Sequence, residues 1–459
     1  MLAFFKNDDI VLLVDMALPN HKLLTGNTTG NDHRITVGSY LCRVIIPMKQ
    51  FTIPFTYRSP LISAIKEKRK QDDRMKKDFT PTLLQFGDLQ IYLARHFGFC
   101  YGVENAIEIA FRTVDENPGK RIFLLSEMIH NPKVNEDLRE RGVKFLQDTY
   151  GKELIPISRL NEKDVVLIPA FGTTIAMEEK LKGIGIAIEK YNTTCPFVEK
   201  VWNRSEQIAQ KNYTVIVHGK PTHEETRATF SHAAANTPTL VLNDMKEAVL
   251  LSTYIKGEKT EATFYDDFAG RYSDGFDPSI HLQRIGVVNQ TTMLANDTQA
   301  IADFLKKTMV VHFALSEENT WERFADTRDT LCYATNDNQS AVYGLLQQDA
   351  DFAIVVGGYN SSNTSHLVEL CEQQLPTYYI DGAERIISPH SISHFDFHQK
   401  LERVTNDFLP AKKGVRILLT SGASCPDAVV EQVITKLIAF CNNDPEPLNS
   451  IMEIQKQFL

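Results

Sequence analysis

The chain has 459 residues, 49 of them basic and 58 acidic, and a formal net charge of −9. That length exceeds one ordinary domain and suggests about three, while 43% hydrophobic and 23% charged residues exclude wholesale disorder or a fibrous repeat. The acidic balance argues against a dedicated nucleic-acid binder, which needs a basic face, and no apolar run approaches the roughly 18 residues of a membrane span.

Residues 1–47 begin with an apolar run that Asp8, Asp9 and Asp15 break. A secretory signal wants a basic start and an unbroken core, and a transit peptide avoids acids. The stretch is therefore read as an extension without structural role, ahead of a more regular segment opening at Met48, and a bacterial cytoplasm is favoured over a plastid. Residues 48–88 form a charged segment whose run from Lys66 to Lys77 is expected to be a solvated helix or linker.

From about Leu89 one unit recurs, a short apolar run followed by an amphipathic helical pattern. Ile122–Leu125, Val165–Ile168, Thr214–Val217, Ile285–Val288, Phe352–Val356 and Val415–Leu419 read as strands. Val103–Val114, Asn135–Arg141, Val198–Gln210, Gln299–Lys307, Ser340–Gln347 and Asp427–Phe440 read as helices. The alternation predicts α/β layers with mainly parallel sheets. Ile255–Arg284 shows little periodicity and is expected to be an insertion or long loop, and Asn442–Asn449 is a turn-rich break near the tail.

In such sheets ligands sit beyond the carboxyl ends of the strands. Ala170–Thr174, Val217–Thr226, Val288–Thr292, Gly357–Thr364 and Thr420–Pro426 are all runs of hydroxyl, amide and glycine residues at predicted strand ends. One such run is ordinarily a helix cap; five in one chain predict that several converge on an oxygen-rich ligand.

Seven scattered cysteines do not form the framework of a disulfide-rich secreted domain, so a reducing compartment is expected. Cys100, Cys195 and Cys332 each stand at the entry of a predicted helix, where the thiol pKa is expected to fall. Singly, each also suits a small buried hydrophobe. As a set they suit a zinc site with an open position or a 4Fe-4S cluster with one free iron, and spacing leaves both open. Cys371 and Cys441 look like core residues, and Cys425 a neutral one with some risk of oxidation.

The segments Phe97–Ala106, Glu127–Pro132, Thr193–Lys200, His223–Thr226, Asn289–Thr292, Leu331–Thr335, Val356–Asn363 and Thr420–Ser424 occur in order along the chain. This ordered set resembles the motifs of the 4-hydroxy-3-methylbut-2-enyl diphosphate reductase (LytB/IspH) family. The resemblance implies the last step of the non-mevalonate isoprenoid (MEP) pathway, reductive dehydroxylation of an allylic alcohol diphosphate to isopentenyl and dimethylallyl diphosphate. It implies a 4Fe-4S cluster held by Cys100, Cys195 and Cys332, proton delivery by Glu225 with Thr291 beside it, and electrons from ferredoxin or flavodoxin. The diphosphate is expected at His130, His223, Ser361, Ser362, Asn363 and Ser424.

The implied fold is three similar α/β units in pseudo-threefold arrangement around the cluster. They are residues 102–195, residues 196–330, and residues 89–101 with 331–440, followed by a tail over 441–459. One residue departs from many bacterial members: Phe171 stands where they have a diphosphate-binding histidine, as it does in the plant and cyanobacterial branch. His218 or Lys220 is expected to replace that donor. Two other classes compete with this reading, a zinc hydrolase acting on a phosphorylated substrate and a non-catalytic cluster protein; neither nucleic acid nor membrane is an expected partner.

Overall fold

The computed structural model describes residues 2–6, 9–14, 42–47, 51–325, 330–442 and 444–459. The chain divides into two units, residues 1–51 with 69–77 and residues 52–68 with 78–459. In the first, strands Leu2–Lys6, Asp9–Val14 and Cys42–Pro47 form an antiparallel sheet in that order. The rest of the extension read over 1–47 lies outside the described residues.

The second unit holds three parallel sheets. Ile122–Leu124 lies between Lys144–Phe145 and Val165–Leu167. Thr214–His218 lies between Thr239–Leu242 and Ile285–Asn289. Phe352–Val356 lies between Thr377–Ile380 and Arg416–Ser421. Each sheet thus places its first strand between its second and third. Leu89–Leu93 extends the last sheet alongside Arg416–Ser421, with Thr82–Phe86 antiparallel at the edge. The central strands are buried at every position, which explains their unbroken Val and Ile runs in place of alternation. A separate antiparallel sheet of Ile386–Ser388, Ser391–Asp396 and Leu401–Asn406 follows the strand Thr377–Ile380.

The run starting at Lys66 continues a mostly exposed helix to Asp72, while earlier in that helix, which starts at Pro60, Leu61, Ile62 and Ile65 are fully buried in the core of the third sheet. Their spacing makes one apolar face, and Lys66 leaves that face to pair with Asp427 at 2.7 Å. One expectation is corrected: Ile255–Arg284 is not a long loop. It contains helices Glu261–Asp267 and Pro278–His281. Phe264, Phe268 and Phe276 are buried there, with the Phe264 and Phe276 rings stacked 5.3 Å apart. A few large aromatics build this subcore, so it lacks the aliphatic periodicity that marks longer helices. Among the described residues no helix is long and apolar enough to cross a membrane.

Candidate active site

Three helix entries face one cavity. Cys100, Cys195 and Cys332 immediately precede helices Tyr101–Glu116, Pro196–Ala209 and Tyr333–Leu345, and all three line a cavity of about 90 Å³. At each entry two first-turn N–H groups bond the sulfur: Gly102 and Val103, Phe197 and Val198, Ala334 and Thr335. Gly102 permits the first two helices to meet, because a Cβ there would collide with Cys195 Sγ.

The expected fall in thiol pKa is corrected. Burial outweighs the amide donors and raises all three thiols, Cys332 to about 12. They stay protonated at neutral pH until a metal cation replaces the proton, so ligation here releases protons. Among the described residues no three His, Cys, Asp or Glu side chains could hold one metal ion. Three thiols around a shared cavity are a soft donor set of the kind an iron–sulfur cluster takes. Cys371 and Cys425 are buried and Cys441 half-buried, and none lines the cavity. The full burial of Cys425 removes the oxidation risk expected for it.

The polar wall of the cavity comes from loops at strand ends. His223 caps the helix Glu224–Ala234, its Nδ1 accepting from the Glu225 amide at 3.2 Å, which places the ring proton on Nε2. Ser361 caps the helix Ser362–Glu372, its Oγ accepting from the Thr364 amide at 3.2 Å. Ser424 Oγ donates to the His130 carbonyl at 3.1 Å, and Asn363 Oδ1 accepts from the Ala423 amide at 2.9 Å. All of these, with Glu225 and Thr291, line the cavity that the thiols share.

Four polar atoms, His130 Nε2, His223 Nε2, Ser362 Oγ and Asn363 Nδ2, are buried without a hydrogen-bond partner, and the last three are donors. Each such group costs about 1–3 kcal/mol, and three donors around one cavity fit an anion rich in acceptor oxygens. Glu225 is buried and accepts from both the amide and the hydroxyl of Thr291, the latter at 3.0 Å. Burial still dominates and raises its carboxyl to about 7.

His218 does not join this wall. It ends the strand Thr214–His218, lies buried, and turns Nδ1 to Thr298 Oγ1 at 2.9 Å, outside the cavity lining. Burial lowers its pKa to about 4, so the ring is neutral. A donor on a strand end points to one side of the sheet or the other, and its sequence position alone did not reveal which.

Sequence reasoning missed Glu224. It is buried, with Oε2 3.8 Å from His130 Nε2, and burial raises its carboxyl to about 7. Its adjacency to His223 and Glu225 was the available signal. Phe171 also lines the cavity, its ring stacked on His130. A wider cavity of about 450 Å³ shares His130, His223, Ser361 and Ser362 with the inner one and adds Lys220 and Lys400.

The family model described as LytB protein matches residues 91–438. A 4-hydroxy-3-methylbut-2-enyl diphosphate reductase of Picosynechococcus sp. is 41% identical over 384 residues, 83% of this chain and 89% of that protein. One of Prochlorococcus marinus is 43% identical over 357 residues, 78% of this chain and 87% of that protein. In fold, the chain is similar to the solved E-1-hydroxy-2-methyl-but-2-enyl-4-diphosphate reductase from Plasmodium falciparum, with a TM-score of 0.54 at 20% identity. That match covers 80% of this chain and 98% of the other. The family model spans most of the chain and these relatives match it over more than three quarters of its length, so the chain belongs to the LytB protein family.

Proposed function

We propose that this chain removes the hydroxyl group of (E)-4-hydroxy-3-methylbut-2-enyl diphosphate reductively, giving isopentenyl and dimethylallyl diphosphate. The observation that carries this reading is one cavity lined by three thiols, a buried acid and four unpartnered polar atoms. The reaction consumes two electrons and two protons: one proton leaves with the hydroxyl as water, the other ends on an allylic carbon.

Cys100, Cys195 and Cys332 would hold a 4Fe-4S cluster, which when bound supplies electrons and an open iron for the substrate oxygen. His223, Ser362 and Asn363 offer their free donors to the diphosphate, with His130, Ser361 and Ser424 beside them. Glu225 Oε1 accepts from the Thr291 amide, so the proton belongs on Oε2; in the acid form Oε2–H donates to Thr291 Oγ1, reversing the bond the carboxylate accepts, which makes Thr291 its relay partner. With a pKa near 7 the acid is present at neutral pH and its base can be reprotonated, the poise a proton donor needs. The cavity is narrow, which orients the substrate and limits water. Ferredoxin or flavodoxin supplies the electrons, in the bacterial cytoplasm.

Anaerobic purification with iron, sulfide and zinc analysis, followed by assay with the allylic diphosphate and a reductant, tests the reading. A brown, iron- and sulfide-containing protein that forms the two products is expected. A colourless protein with stoichiometric zinc contradicts it.

A further inference from the structure

The inner cavity, at about 90 Å³, is far smaller than the roughly 300–1,000 Å³ of ordinary small-molecule sites. It adjoins the wider cavity of about 450 Å³, and four residues line both, His130, His223, Ser361 and Ser362. These are residues of the proposed diphosphate wall, so the diphosphate lies at the junction and its terminal phosphate faces the wider side.

Lys220 is the half-buried cation on that side. Its backbone is fixed at both ends: the amide donates to Gln290 Oε1 at 3.1 Å and the carbonyl accepts from the His223 amide at 2.9 Å. Lys220 and His223 therefore terminate one tight turn over the junction. The Lys220 ammonium donates only to Ser365 Oγ, at 3.5 Å, and has no carboxylate within ion-pair distance among the described residues. The nearby Glu369 is engaged by His366 at 2.6 Å, and the other charge facing Lys220 is the exposed ammonium of Lys400. A half-buried ammonium beside a second cation is poorly placed for stability and well placed for an anion.

Resting on the proposed function, we propose that Lys220 is a diphosphate-binding residue that leaves Ser365 to hold the terminal phosphate at the cavity mouth. Lys400, exposed at the rim, attracts the anion without fixing it.

Titration calorimetry with inorganic diphosphate on the anaerobically prepared holoenzyme tests this, comparing wild type, Lys220→Met, Lys220→Arg and Lys400→Met. Lys220→Met is expected to weaken binding about 10- to 100-fold, with iron content and circular dichroism unchanged. Lys220→Arg is expected to restore most of the affinity, and Lys400→Met to matter only at low salt. In turnover, Lys220→Met raises KM more than it lowers kcat. Wild-type affinity in Lys220→Met, in an enzyme that still converts the allylic diphosphate, overturns the role of the lysine alone. Loss of iron or helicity in both Lys220 variants overturns it in favour of a structural role. A wild-type holoenzyme that neither binds diphosphate nor turns over overturns this proposal together with the functional reading beneath it.

Discussion

The ring of Phe171 lies on the imidazole of His130, centroids 4.2 Å apart and planes 22° from parallel. His223 meets both rings edge-on, at 5.1 Å from His130 and 5.7 Å from Phe171. Phe171 therefore packs against both histidines of the cavity wall and holds them in place. Stacked and edge-on aromatic pairs contribute about 0.5–1.5 kcal/mol beyond area burial. Phe171→Ala is expected to weaken diphosphate binding about 2- to 10-fold by calorimetry, with iron content unchanged. Unchanged affinity would show that His130 needs no such support.

Glu225→Gln keeps the size of the side chain and removes its proton. Loss of a positioned acid is expected to lower kcat by about 10²–10⁴-fold, while KM moves little. In wild type the acid form is lost as pH rises through about 7, so kcat falls on the alkaline side and Glu225→Gln flattens that limb. A pH–rate profile of both proteins checks this.

Glu224 makes a separate pH prediction, for stability. Its folded pKa of about 7 lies above its ordinary 4.5 because burial penalises the anion. The folded state therefore binds the proton more tightly, and that stabilisation is present in full below pH 4.5 and lost as pH rises through about 7. Between about pH 5 and about pH 8 the melting temperature of wild type is expected to fall relative to that of Glu224→Gln. Parallel melting curves would remove the assignment.

Gly102→Ala places a methyl group against Cys195 Sγ. The two helix entries must then separate, and iron per chain is expected to drop with little loss of helicity. Iron analysis with visible absorbance and circular dichroism on one preparation separates the local effect from unfolding.

Much of the second unit was legible in the sequence, because its parallel strands are buried on both faces. Phe352–Val356 is apolar throughout and Thr214–His218 has an apolar Val-Ile-Val centre, and both lead into polar loops, a contrast visible without a structure. Cys100, Cys195, Cys332, Glu225 and the serine loop were legible because each stands at a helix entry within a compact motif. What escaped depended on facing and burial. His218 and Lys220 are two residues apart, yet one turns to Thr298 on the helix Ala295–His312 and the other lines the wider cavity. Helix position alone predicted lowered thiol pKa values, whereas burial raised them.

The aromatic subcore of residues 255–284 escaped because three phenylalanines do the work of a longer apolar stripe. Phe264→Ala is expected to cost about 3–5 kcal/mol in denaturant unfolding. The site lies elsewhere in the unit, so KM and iron content are expected to stay at wild-type values; a change in either would tie this segment to the site.

The most direct measurement is product analysis under strictly anaerobic conditions. Protein with assayed iron and sulfide is given the allylic diphosphate and a chemical reductant, and the organic products and free phosphate are quantified. The account predicts isopentenyl and dimethylallyl diphosphate, consumption of two electrons per turnover and no phosphate release. Phosphate release without electron consumption would contradict it.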